Sequence, residues 1–129
     1  MTDVRFPLAT RYADYDTKGH VNNAVYLTYF EMARHRAWVD GMGGDADFPF
    51  ILAEVTVRFV SQAMIGEELD IEIVTTEVRN KAWVWSYVIR ATRDDRVVAE
   101  GQTIQVMFDY DTARTIPIPD ELRVKLSAL

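Results

Sequence analysis

The sequence predicts an α+β domain in which one antiparallel sheet of about five strands covers a single central helix. Three observations support this fold class. A strongly apolar helical pattern lies near the start of the chain, four long segments rich in β-branched and aromatic residues follow Pro49, and the links between those segments are very short. The whole chain of 129 residues has the size of one domain, 1–129.

The first strand and the helix are separated by a polar loop. Residues Val4 to Tyr12 alternate loosely and predict the first strand, with Pro7 marking an edge or a bulge. Residues 13–21 are polar with one glycine and predict a loop. From about Asn23 to Val39 the pattern is helical, and Asn22 or Asn23 would serve as its N-cap.

The predicted helix is apolar nearly all round in its first half. Such a helix is buried on most sides, so we expect it to form the core. The second half, with Arg34, His35 and Arg36, is expected to be solvated.

The four segments after Pro49 predict long strands joined as hairpins. Their links are too short for the crossover that a parallel pair needs, so neighbouring strands must be antiparallel. A short helix, PDELRVKL, follows them. The predicted strands are Phe50–Val60, Glu68–Val78, Lys81–Thr92 and Arg96–Tyr110.

One predicted strand carries apolar residues on both faces. Trp83, Trp85 and Tyr87 alternate with Val84 along it, and these aromatic residues are expected in the core or in a subunit interface. Because one sheet around one helix leaves a sheet edge and an outer face uncovered, we expect a homodimer or homotetramer.

Composition excludes several classes of function. The net charge of −6 disfavours binding to nucleic acid, and the absence of cysteine excludes disulfides, cysteine-ligated zinc and thiol nucleophiles. The N-terminal segment MTDVRFPLAT has no apolar signal region, and no apolar run approaches the length of about 18 residues typical of a membrane span. We therefore expect a cytoplasmic protein without membrane association.

The polar loop before the helix suggests acyl-transfer chemistry. A helix N-terminus offers unpaired N–H donors and a partial positive charge, which together can stabilise an oxyanion. Asp16 precedes that N-terminus by a few residues, with Gly19 at the bend between them. A carboxylate beside a polarised carbonyl is the minimum equipment for acyl transfer, with the carboxylate acting as nucleophile or general base.

The stretch RYADYDTKGHVNNAVYLTYFEMAR resembles the signature of the hotdog-fold thioesterases, in particular the 4-hydroxybenzoyl-CoA thioesterase-like acyl-CoA thioesterases. The family pattern D-x-D-x-x-G-x-V followed by a long apolar helix is matched by Asp14, Asp16, Gly19 and Val21. VRFVSQAMIGEELDIEI and EVRNKAWVWSYVI also resemble strands of the family, so the resemblance covers most of the chain. It implies a hotdog fold and hydrolysis of an acyl-CoA to a free acid and CoA.

The resemblance also implies site residues. Asp16 matches the catalytic carboxylate of the family, and Asn23, with Asn22 beside it, matches the backbone N–H that polarises the thioester carbonyl. The basic turn that contacts the CoA phosphates in the family corresponds here to Arg79 and Lys81. Arg58 is a further candidate for contact with CoA, and Gly19 for contact with the substrate.

The chain departs from the family pattern at two places. Asn22 and Asn23 replace an aromatic pair of several relatives, and Gln62-Ala63-Met64 replaces a Pro-Ala-basic stretch. The HVNN version occurs in relatives that act on fatty acyl thioesters, including acyl-ACP thioesterases, which favours an aliphatic acyl group. The carrier, CoA or ACP, stays open.

Other interpretations remain beside this one. His20 is a candidate general base or only a loop residue, and Asp14 is expected to cap a turn. A metal could in principle be bound by Asp14, Asp16 and His20. No second cluster of ligands supports such a site, so no metal or cofactor is expected. The hotdog hydratases place Asp and His five positions apart, whereas Asp16 and His20 are four apart. A domain that binds acyl thioesters without turnover is the non-enzymatic alternative.

Overall fold

The computed structural model describes residues 4–45 and 47–129. It contains one antiparallel sheet with the strand order β1-β3-β4-β5-β2, and β6 pairs with β5 beyond that path. The strands are β1 (Val4–Pro7), β2 (Phe50–Phe59), β3 (Leu69–Val78), β4 (Ala82–Ala91), β5 (Arg96–Asp109) and β6 (Arg114–Thr115). The helices are α1 (Val25–Arg36), continued by a π-helical turn at Ala37–Gly41, and α2 (Asp120–Ala128).

Two of the three predicted hairpins, β3–β4 and β4–β5, are confirmed, and both pairs are antiparallel. The prediction that β2 forms a hairpin with β3 was wrong, because β2 crosses over to pair with β5 at the sheet edge. The α+β prediction with one main helix is therefore confirmed. The sequence analysis missed β6, which has only two residues.

α1 packs on the inner face of the sheet, where the aromatic residues of β4 are buried. Trp83, Trp85 and Tyr87 are at most 1% exposed, which places them in the core. Phe30 of α1 stacks on Tyr87 with ring centroids 4.4 Å apart. Gly101 of β5 lies below the same ring, and a Cβ there would lie 2.8 Å from Phe30.

The first strand is shorter than predicted. β1 ends at Pro7, which has no N–H to continue a ladder. After the Leu8 N–H donates to the carbonyl of Leu69, the chain leaves the sheet and forms a 3-10 turn at Tyr12–Asp14.

The N-terminus of α1 also differs from the prediction. The N-cap residue is Ala24, and its side chain makes no capping hydrogen bond. Asn22 instead accepts the Ala24 N–H at Oδ1 (3.0 Å) and the Val25 N–H at its carbonyl (2.9 Å). Asn22 therefore caps the start of α1 from a position two residues before the N-cap residue Ala24. Asn23 lies between them.

The prediction that Arg34 is solvated was wrong. Its side chain is buried, and Nη1 lies 3.5 Å from the hydroxyl of Tyr87. Arg34 is one turn beyond Phe30 on the same stripe of α1, so it faces the sheet. The solvent-facing stripe of α1 contains Leu27, Thr28, Glu31 and His35.

The edge strand β2 exposes apolar side chains on its inner face. Leu52, Val55 and Phe59 are 45%, 38% and 46% exposed, although their neighbours on β5 are covered. Exposed apolar rows of this kind mark contact surfaces. Among the described residues, no helix is long and apolar enough to cross a membrane.

The close approach at Gly101 leads to a prediction. In Gly101→Ala the new methyl group collides with the carbonyl oxygen of Thr56 and presses on the Phe30 ring. We expect a loss of about 1–3 kcal/mol in the free energy of unfolding, measured by urea denaturation. The control Gln102→Ala, at an exposed neighbouring position, is expected to change stability by less than about 0.5 kcal/mol. Equal effects of the two variants would contradict the prediction.

Candidate active site

The polar loop is braced against the chain that follows β2. The Val21 N–H donates to the carbonyl of Ala63 (2.9 Å), and the Ile65 N–H donates to the carbonyl of Gly19 (2.7 Å). Gly19 has φ +75°, a left-handed conformation that favours glycine. The predicted bend at Gly19 thus holds the loop in contact with a second segment of the protein.

Asp16 is fixed by its own loop. Its Oδ1 accepts the N–H groups of Lys18 (2.8 Å) and His20 (3.1 Å), while its own N–H donates to the carbonyl of His20 (2.7 Å). These N–H groups lower the pKa of Asp16 below its usual value, so the carboxylate is ionised at neutral pH. Oδ2 accepts no hydrogen bond from the residues that the structure describes, and Asp16 is exposed.

A cavity of about 210 Å³ lies at the start of α1. Within the described chain the N–H of Asn23 has no acceptor, whereas the N–H groups of its neighbours Asn22 and Ala24 donate to Asp14 and Asn22. An unpaired N–H at a helix start is a suitable donor for a developing oxyanion. The cavity is lined by Asn23, Tyr26, Phe59, Val60, Ser61 and Gln62.

The other predicted site residues, His20, Asn22 and Arg58, differ in their contacts and exposure. The backbone of His20 braces Asp16, and its ring is half-buried. Asn22 is occupied as the cap described above. Arg58 alternates with Phe59 on β2, so it lies on the outer face of the sheet, where it pairs with Glu100 at 3.5 Å.

The predicted basic turn lies at the other end of the sheet. Arg79 and Lys81 follow β3, whose first residue is beside the loop, and ten strand residues span about 30 Å. A single chain therefore does not bring them to Asp16. Arg79 pairs with Glu77 at 2.8 Å, which raises the pKa of the Arg79 guanidinium.

Arg123 of α2 belongs to the same basic turn, and the sequence analysis missed it. Its guanidinium donates to the carbonyls of Arg79 (2.9 Å) and Asn80 (3.2 Å). The basic residues Arg79, Lys81 and Arg123 are called the basic cluster below. Arg123 is far away in sequence, and only the packing of α2 on β3 brings it here.

Asp14 is buried beside the loop. It accepts hydrogen bonds from the backbone N–H and guanidinium of Arg11 and from the hydroxyl of Tyr29 (2.9 Å). Burial alone would raise the pKa of Asp14, but these donors outweigh it and the pKa is lowered. Burial and the neighbouring Asp14 raise the pKa of Tyr29.

Two larger cavities, of about 600 and 480 Å³, lie on either side of β1. Two further cavities, of about 440 and 360 Å³, are also larger than the one at the start of α1. Of these five cavities, the one at the start of α1 is the one lined by Asn23, and Asp16 lines none of them. Within residues 4–45 and 47–129, no three His, Asp or Glu side chains are grouped to hold a metal ion.

The lowered pKa of Asp14 predicts an acid-dependent stability. Because the folded pKa lies below the unfolded value of about 3.9, the unfolded chain binds the proton first, and stability is lost as pH falls through the folded pKa. In Asp14→Asn this contribution is absent, so the free energy of unfolding should fall less steeply between about pH 5 and pH 3. Urea denaturation at several pH values measures both slopes, and identical slopes would contradict the prediction.

The chain is similar to known thioesterases in sequence and in fold. The chain is 28% identical over 122 residues to the long-chain acyl-CoA thioesterase FadM of Escherichia coli (strain K12), covering 88% of this chain and 89% of that protein. A predicted thioesterase from Bacillus stearothermophilus superposes with a TM-score of 0.89 at 25% identity, over 98% of this chain and 96% of the other.

A thioesterase from Thermus thermophilus, solved in complex with coenzyme A and Zn, superposes with a TM-score of 0.85 at 26% identity, over 96% of this chain and 91% of that one. The family model of the thioesterase-like superfamily matches residues 10–126. The fold and the matched range together show that this chain belongs to the thioesterase-like superfamily.

Proposed function

We propose that this protein hydrolyses acyl-CoA thioesters to a free carboxylic acid and CoA. The observation that carries the proposal is the pairing of an ionised carboxylate with a free Oδ2, Asp16, and an unpaired N–H, Asn23, within one braced loop. FadM acts on long-chain acyl-CoA, and the Thermus thioesterase binds coenzyme A, which supports the same substrate class here.

The reaction follows from these two groups. The thioester carbonyl oxygen accepts the Asn23 N–H, and the partial positive charge of the start of α1 stabilises the oxyanion. Asp16 Oδ2 either attacks the carbonyl carbon or removes a proton from an attacking water. When Asp16 attacks, the C–S bond breaks to leave an acyl anhydride on Asp16, and water then hydrolyses this anhydride to the free acid and the carboxylate. When Asp16 activates water, the C–S bond breaks and the free acid forms directly. In both routes the water supplies the oxygen added to the acyl group and the proton taken up by the CoA thiolate.

The acyl group is aliphatic and extends from the cavity along the inner face of β2. That face presents Leu52, Val55 and Phe59, and Leu27 of α1 is exposed on the helix. A row of aliphatic side chains with one aromatic ring suits a flexible hydrocarbon chain, whose transfer out of water stabilises binding by about 0.8 kcal/mol per CH₂.

The protein is a homodimer formed by the pairing of two β2 strands. β2 is an edge strand with exposed apolar side chains, and a second copy would satisfy its backbone and cover those side chains together. In such a two-fold, antiparallel pair the Phe50 end of one β2 lies beside the Phe59 end of the other.

This pairing gives the basic cluster a function. Phe50 is opposite Met107, whose N–H donates to the carbonyl of Lys81 (2.8 Å), so the cluster is at the Phe50 end. In the dimer it lies at the same end as the cavity of the partner, three or four strand spacings away, about 14–19 Å. CoA leaving that cavity could reach it with its phosphates, and Arg79, Lys81 and Arg123 would bind them.

The first experiment measures free thiol released from short, long and aromatic acyl-CoAs. Asp16→Ala is expected to lower kcat at least about a hundredfold, because no other carboxylate is positioned at the start of α1 among the described residues. Thr17→Ala is the control, since Thr17 is an exposed neighbour in the same loop. A folded Asp16→Ala protein with normal activity would refute the proposal, and turnover of acyl-ACP alone would change the carrier.

The second experiment tests the basic cluster. Arg123→Ala and Lys81→Ala are expected to raise the KM for acyl-CoA about tenfold each without a matching fall in kcat, because each removes a charged contact to phosphate. The same variants should not change hydrolysis of the matching acyl-N-acetylcysteamine thioester, which lacks the nucleotide. Lys125→Ala on the same helix, paired with Glu121, is the control. Unchanged KM values would exclude the cluster from CoA binding.

A further inference from the structure

Asp14 is 1% exposed, and among the described residues it is the buried carboxylate nearest in sequence to Asp16. It does not line the cavity at the start of α1. Its carboxylate is occupied by Arg11 and Tyr29, so it has no part in the chemistry proposed above. The buried position of Asp14 must therefore be explained by the segments that its hydrogen bonds connect.

Asp14 connects three parts of the site. Its carboxylate accepts the hydroxyl of Tyr29 from the middle of α1, and its backbone carbonyl accepts the N–H of Asn22 at 2.9 Å. Arg11 fixes it to the chain that enters the loop. The segment between Asp14 and Asn22, which contains Asp16, is therefore closed at both ends and attached to the helix.

The attachment to Tyr29 is the part that water cannot replace. Tyr29 is 1% exposed, so its hydroxyl has no alternative partner if Asp14 is removed. The guanidinium of Arg11 is 72% exposed, and an ion pair at such a site contributes little. The buried hydrogen bond thus links the loop to the middle of α1, in addition to the Asn22 cap at the start of the helix.

We propose that Asp14 and Tyr29 are positioning residues that act through Asp16. Their hydrogen bond sets the loop relative to α1 so that the N–H groups of Lys18 and His20 hold Asp16 Oδ1 and leave Oδ2 free. The proposal rests on the function proposed above. The titratable and charged groups near Asp16 are His20 and Lys18, both in its own loop, and those at Asp14 are Arg11 and Tyr29.

The test compares Asp14→Asn, Tyr29→Phe and the double variant with wild type. Each single variant should lower kcat about ten- to a hundredfold with KM changed less than about twofold, because a small misplacement of Asp16 lowers the rate without removing a binding contact. The double variant should be no worse than the more damaging single one, since both remove one link. Tyr12→Phe is the matched control, because it removes the same hydroxyl from an 87% exposed side chain in the adjoining turn.

A second readout separates positioning from stability. Loosening of the Lys18 and His20 N–H groups should raise the pKa of the acidic limb of kcat/KM in both single variants. The Asp16 carboxyl pKa, followed by NMR titration, should rise in parallel and does not depend on any substrate. If the variants melt earlier but keep kcat and the pKa of Asp16, the proposal is wrong. If wild type releases no thiol yet the NMR shift occurs, the positioning stands and the proposed function fails.

Discussion

The packing of Phe30 over Gly101 determines where α1 lies, and the site depends on that position. The Phe30 ring rests on β5 only because residue 101 has no side chain, and it stacks on Tyr87 of β4. α1 is thereby held against β4 and β5, and Tyr26 near its N-terminus also packs on Phe59 of β2. Its N-terminus then meets the loop that carries Asp16, while the stripe that continues from Phe30 brings Arg34 to the sheet.

The two aspartates of the loop divide two tasks that a single carboxylate could not perform. Asp14 is buried and fully hydrogen-bonded, which suits a structural link but leaves no free oxygen. Asp16 is exposed and uses only one oxygen for its loop, which leaves the other free for the chemistry proposed above. Asp14 and Asp16 lie on either side of Tyr15. Two carboxylates so close in sequence therefore occupy opposite environments, one buried and one exposed.

The sequence predicted local features well and long-range ones poorly. The long strands, the short turns and the loop-to-helix arrangement depend on neighbouring residues, and their types appeared in the sequence. The burial of Arg34 depends on the packing of α1 against the sheet, whereas its charge alone suggested a solvated side chain. The hydrogen bond from Arg123 to the Arg79 carbonyl likewise depends on which elements pack together. The sequence left the cap open between Asn22 and Asn23 because both residue types cap well, and the loop geometry gives this role to Asn22.

The position of the basic cluster is the strongest reason to regard one chain as half of a working site. In one chain the predicted CoA contacts and Asp16 occupy opposite ends of the sheet, a distance of about 30 Å along β3. The edge strand β2 is exposed along an apolar face. Pairing of two β2 strands would cover the apolar row and bring each basic cluster to the end of the sheet at which the other chain's proposed site lies.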